Sequence, residues 1–122
     1  MDENIFFGAF GAFFLIVILA ISVVIIIAQW KIYEKAGKPG WAVLIPIYNL
    51  IVLLEIVGKP LWWIFLFLIP FVNIIFGIWV TNLLSKSFGK DEAFTVGLIL
   101  LGIIFYPILG FGDAKYIGPA GK

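Results

Sequence analysis

The chain has 122 residues, of which 64% are hydrophobic and 12% charged, with a formal net charge of +1. One domain at most fits this length; a soluble domain carries roughly 25% charged residues and could not bury this much apolar surface. Cysteine, histidine and arginine are all absent, which excludes disulfides and thiol chemistry, removes the commonest general base and metal ligand, and leaves no basic block for nucleic acid. The composition predicts an all-α integral membrane protein with no enzyme active site, no metal and no cofactor, in contact with membrane lipids.

Ile5 to Ala28 carries no charge and is long enough to cross a hydrocarbon core of about 30 Å as a helix. A signal peptide would want a basic start and a small-residue cleavage site. Here the start is acidic (Asp2, Glu3) and the end is Ala28-Gln29-Trp30-Lys31, so a retained span over about 5–30 is expected. A polar hinge follows, with Lys31, Glu34, Lys35, Lys38 and Pro39-Gly40. The next apolar segment, about 41–57, contains Pro46, Asn49 and Glu55. Proline inside a helix removes a backbone bond and clashes with the preceding turn, so a re-entrant or interfacial hairpin suits it better than a clean span. Gly58-Lys59-Pro60 interrupts the chain again. Residues 61–84 are uncharged and span-length, with Pro70 and Asn73 inside. After a polar stretch with Lys86, Lys90, Asp91 and Glu92, residues 93–111 form a third expected span, with Pro107 near its end. Residues 112–122 are expected as a loosely ordered polar tail outside the membrane domain 1–111.

Lysine placement chooses between topologies. Four spans divide the eight lysines five to three. Three spans with a re-entrant 41–57 divide them six to two, with Lys86 and Lys90 alone on the far side. The second is favoured, with the N-terminus outside and the C-terminus in the cytoplasm. Trp30, Trp41, Trp62 and Trp63 then fall near the cytoplasmic interface, where an apolar ring with a wet N–H prefers to sit. Trp79, about 27 Å further along its helix, is expected near the outer one.

Leu44-Ile45-Pro46-Ile47-Tyr48-Asn49 echoes Leu68-Ile69-Pro70-Phe71-Val72-Asn73, each preceded by Lys-Pro and a tryptophan. The spacing differs by three residues, close to one helical turn. A decayed duplication of the kind found in transporters and chance repetition in apolar sequence both account for it. Glu55 is the sharpest single residue. An acid in an apolar run is a proton-relay, cation-site or polar-glue candidate, or it reaches the interface with Lys59 one turn on. Asn49 and Asn73 either line a polar cavity or supply donors to carbonyls that the prolines free. Pro46, Pro70 and Pro107 are read as helix kinks. Gly8, Ala12, Ala20 and Ala28 form a small-residue ridge suited to close helix packing, within the chain or between copies. Ser85-Lys86-Ser87 sits in a polar loop and offers no desolvated lysine for nucleophilic chemistry.

The strings Trp30-Lys31-Ile32-Tyr33-Glu34-Lys35-Ala36-Gly37-Lys38-Pro39-Gly40-Trp41, Gly58-Lys59-Pro60-Leu61-Trp62-Trp63, Ser87-Phe88-Gly89-Lys90 and Tyr116-Ile117-Gly118-Pro119-Ala120 resemble a small multi-spanning membrane family of unknown function common in Bacteroidota. A similar region precedes the catalytic part of signal peptidase I in those bacteria. The resemblance covers about residues 30–120 and implies a bacterial cytoplasmic (inner) membrane protein with a cytoplasmic tail. It implies no peptidase activity, since the β-rich catalytic domain is not among these residues. The function expected is a non-enzymatic accessory or structural subunit of a membrane assembly, or a homo-oligomer. The alternative is a small channel or carrier with its polar site (Glu55, Asn49, Asn73, Lys59) at the broken hairpin.

Overall fold

A computed structural model of the chain describes residues 2–121. Among them every regular element is helical: α1 (Glu3–Lys35), α2 (Pro46–Val57), α3 (Ile64–Phe67), α4 (Val72–Ser87), α5 (Glu92–Leu100) and α6 (Gly102–Phe111), with 3₁₀ segments at Gly40–Leu44 and Leu61–Trp63.

α1 begins where the Asp2 carboxylate accepts a bond from the Asn4 N–H at 3.2 Å. No proline interrupts it, and Glu3 and Lys35 at its ends complement the helix dipole. Its 33 residues extend about 50 Å at 1.5 Å per residue. It is the one helix among the described residues that is long and apolar enough to cross a membrane, and nothing in its 18-residue apolar window is buried. Only its C-terminal part packs, through Ala28, Ile32 and Tyr33.

The rest of the chain forms three hairpins. In the first, Gly40–Leu44 turns back along α1, with the Gly40 backbone pressed against the Trp30 indole where no Cβ would fit. Pro46 then opens α2 at a position where its missing N–H costs nothing. α2 climbs back, so that Asn49 meets Tyr33 and Glu55 meets Lys38. In the second, Leu61–Trp63 and α3 lead away and the chain reverses through a γ-turn. The Val72 N–H donates to the Pro70 carbonyl at 2.8 Å, with Phe71 at φ 67°. That positive-φ form is rare and strained. α4 returns, and Trp63 stacks edge-on against Phe76 and Trp79, with ring centroids 4.9 and 5.3 Å away. In the third, Asp91 caps α5 through the Phe94 N–H at 3.1 Å. Thr95 donates to Asn82 of α4 at 2.9 Å, the chain bends at Leu101, and α6 returns with Phe105 against Phe94. α6 runs parallel to α1: Ile103 lies by Ala20 and Val24, and Gly110 by Ala28.

The open ends of all three hairpins meet at the C-terminal end of α1. The Ile117 N–H donates to the Ser87 carbonyl at 2.8 Å, and the Gly121 N–H to the Val57 carbonyl at 2.7 Å. Tyr116 donates to the Ile56 carbonyl at 2.7 Å, and Lys35 reaches the carbonyls of Leu109 and Gly112 at 2.6 and 3.0 Å. The seven described lysines, Lys31, Lys35, Lys38, Lys59, Lys86, Lys90 and Lys115, all belong to the segments gathered at this end. The opposite ends are apolar tips: Leu68, Phe71 and Leu100 are 70%, 82% and 73% exposed.

Several expectations are corrected. Residues 61–84 and 93–111 are not single continuous helices; each turns back, at Phe71 and at Leu101. Lys86 and Lys90 therefore share an end with Lys38 and Lys59 rather than lying opposite. Trp79 does not lie at the far end of a continuous helix, because the turn at Phe71 folds it back against Trp63. Pro46 starts a helix, Pro70 sits in a turn, and only Pro107 lies inside a helix. Residues 112–121 are docked by backbone bonds rather than loose. The two echoed strings have one shape: a Pro-capped 3₁₀ segment, an apical Leu-Ile-Pro and a returning helix with Asn in its first turns. The extra turn in the second is α3.

Candidate functional site

Two polar places occur on this scaffold. The first is a partly open cavity of about 120 Å³ lined by α1, α2, α4 and α6, with Gln29, Tyr33, Asn49, Thr81 and Tyr106 as its polar lining. They come from α1, α2, α4 and α6, and hairpin packing brings them together. The Tyr33 hydroxyl donates to the Asn49 side-chain oxygen, and the Asn49 amide donates to the Val43 carbonyl at 3.4 Å. Asn49 thus repairs the backbone at the first apex and also lines the cavity. Thr81 donates to the Gly77 carbonyl at 2.8 Å. Gln29 lies six residues before Lys35, about 9 Å along α1. The cavity has room for about four waters or a small neutral molecule with hydrogen-bonding groups. It contains no charge.

The second place is the basal end. Lys38 pairs with Glu55 at 3.0 Å, with both side chains partly exposed. Glu55 is therefore an interface carboxylate and not an acid held inside the apolar body. Lys59, its expected partner, lies instead over the rings of Trp63 and Trp79 at 5.2 and 5.4 Å, a cation–π arrangement. Lys35 caps the last carbonyls of α6. Burial there lowers the Lys35 ammonium from the ordinary lysine value, with Asp113 pulling it up and Lys90 pushing it down. Lys86 pairs with Glu92 at 2.9 Å, and that hydrogen bond holds the Glu92 carboxyl below its ordinary range.

The structure brings Asn49 to the cavity and separates it from Glu55, Lys59 and Asn73. Asn73 sits half-buried in the first turn of α4. None of Gln29, Tyr33, Thr81 and Tyr106 is singled out from the sequence; Tyr106 stands as an isolated hydroxyl in an apolar run, whereas Tyr33 lies in the polar hinge and carries no such signal. Trp41 stacks on Tyr48 at 5.2 Å, and Trp62 is exposed. The small-residue ridge divides: Ala20 and Ala28 face α6, while Gly8 has nothing within 4 Å.

The fold and these sites define an all-helical protein: one long apolar helix on a body of three hairpins, with the described lysines gathered at one end and Asp2 and Glu3 at the start of the long helix. Residues 41–119 match the model of a family of unknown function, DUF5684, and the chain belongs to that family. The match covers the three hairpins and most of the docked tail and begins after α1. No curated protein and no solved structure matches the chain.

Proposed function

We propose that the chain is a non-enzymatic integral protein of the bacterial cytoplasmic membrane, an accessory or structural subunit that works by packing helices in the lipid. In this reading α1 crosses the bilayer and the hairpins dip into the cytoplasmic leaflet and return. The grouping of lysines supports it: seven at one end and none at the other is the strongest positive-inside bias the described residues could have. Dimensions agree. α1 exceeds the 40–45 Å of a whole bilayer, while α4, at 16 residues, reaches about 24 Å, near half that thickness. The exposed apices suit hydrocarbon, and amides at each of them bond locally, Ile45 to Ala42, Val72 to Pro70 and Leu101 to Gly97, the kind of pairing that lipid favours. A cytoplasmic tail also agrees with the resemblance to the region preceding signal peptidase I.

The observation that carries the subunit role is the bare N-terminal half of α1, apolar on every side and unpacked against the body. It is the element left for another membrane helix, either a second copy or a partner subunit, with Gly8 and Ala12 permitting close approach. Extraction into native-lipid nanodiscs followed by mass measurement tests this. A complex is expected, and Gly8→Leu with Ala12→Leu should dissolve it while leaving the body folded. A clean monomer from native lipid would count against the role.

One observation favours a carrier as a second reading, the uncharged polar cavity. Flux of small neutral solutes into liposomes should then fall with Asn49→Leu. Flux equal to that of empty liposomes removes this reading.

A further inference from the structure

The molecule's cross-section changes abruptly along α1. At the basal end, α1 is accompanied by α2, α4, α5, α6 and the descending arms. Ile103, one residue into α6 past the apical bend, lies by Ala20 and Val24 of α1. Beyond that level α1 continues alone from Leu19 to Glu3, 17 residues by the sequence numbering or about 25 Å. Those residues are exposed nearly all round: Phe13 is 66% and Leu19 64% accessible. One leaflet therefore receives roughly five helical cross-sections and the other receives one, each about 10–12 Å across.

We propose that this protein is a one-leaflet wedge that prefers membrane curved so that its lysine-bearing leaflet is convex, and that produces such curvature when crowded. The inference rests on the topology proposed above. Inserted volume confined to one leaflet expands that leaflet against the other, and the strain is relieved by bending toward the less filled side. Shallow amphipathic helices respond to curvature for the same reason. Here the wedge is deeper and cannot withdraw, because α1 anchors it through both leaflets. The apolar apices and the basic base fix its depth: Phe71 and Leu100 stay in hydrocarbon, and the lysines stay with the headgroups. Self-association through α1 would accentuate the effect, since bodies wider than the helix joining them splay apart.

The test uses the full chain, whose lack of cysteine permits single reporter cysteines at Asp2, Lys38, Lys90 and Lys115. The protein is reconstituted by detergent removal into phosphatidylethanolamine–phosphatidylglycerol vesicles of about 50 nm and about 400 nm, a range over which curvature-sensitive insertion differs. External labelling with a membrane-impermeant maleimide reports orientation. The cysteines at 38, 90 and 115 should label as one group and the cysteine at 2 as its complement. The ratio of body-outward to body-inward molecules should be at least about threefold higher in the small vesicles. Electron microscopy at high protein-to-lipid ratio should show tubes or small vesicles budding from large ones. If the three basal cysteines label together but the ratio is the same at both diameters, the wedge is refuted and the topology survives. If the cysteine at 90 labels opposite to that at 38, the topology fails and the wedge with it.

Discussion

Gly110 is the point of closest approach between α6 and α1, and its replacement by alanine gives a sign that can be calculated. A Cβ there would lie 2.9 Å from the Ala28 Cα and 3.0 Å from its carbonyl carbon, and closer still to the Ala28 oxygen. Carbon pairs are most favourable at about 3.5–4.0 Å, so the helices must part by roughly half an ångström or more. The obstacle is backbone on both sides and cannot swing away. Overpacking of this kind costs about 1–3 kcal/mol, and alanine's better helix propensity returns about 0.5–1 kcal/mol. The net loss is about 1 kcal/mol, roughly a fivefold fall in the folded-to-unfolded ratio. Gly8→Ala is the internal control. It has nothing within 4 Å, so it should be neutral or stabilising by up to about 1 kcal/mol. Unfolding by SDS in bicelles, followed by tryptophan fluorescence, measures both. Gly110→Val adds branches in the same gap and should lose more. If Gly110→Ala proves as stable as Gly8→Ala, the α1–α6 contact is not as close as described here.

The γ-turn makes a second prediction. Phe71 is 82% exposed, so its removal loses almost no packing within the chain. Phe71→Gly should relieve about 1 kcal/mol of backbone strain, whereas Phe71→Ala should not, since alanine resists φ 67° as phenylalanine does. Equal gains in the same titration would show that the strain is absent. The Lys86–Glu92 pair makes a third. The folded carboxyl titrates below its ordinary value of 4.5, so its contribution is present above that pH and is lost as pH falls through the lowered folded value. Being fully exposed, it is screened by salt. Glu92→Gln should change the thermal midpoint only slightly at neutral pH and low salt. The difference should vanish in acid and in molar salt; one that persists in molar salt would contradict an exposed pair.

Part of the fold, the helical class with α1 and the first hairpin, could be read from the sequence. Charge-free length placed α1, and the Lys-Pro punctuation with Pro46 placed the first hairpin. Both rest on local rules: an uninterrupted apolar run needs about 20 residues to cross, and proline cannot sit mid-helix without loss. The site was less legible. Glu55 drew attention as an acid in an apolar run, yet its partner Lys38 lies 17 positions away and is brought near only by the first hairpin. The polar cavity depends on α1, α2, α4 and α6 converging, so no single stretch of sequence contains it. The tail is expected to be loose because it is polar, and polarity says nothing about whether a backbone amide will find a carbonyl such as that of Ser87 or Val57.

A span and a hairpin of equal length differ little in local sequence. Residues 61–84 would extend about 36 Å as one helix, enough to cross, and a single proline is tolerated inside a span. Neither length nor Pro70 decides the matter. The reversal is selected by contacts distant in sequence: Trp63 against Phe76 and Trp79, and Asn82 against Thr95. Yet one signal was available without them. All four polar segments, 31–40, 58–60, 86–92 and 112–122, contain lysine. Any chain that crosses at each apolar run must divide those segments between two surfaces. Only a chain that turns back at every run after the first can keep them together. The positive-inside tendency, applied to re-entrant as well as spanning segments, therefore favours the hairpin body over both alternating topologies.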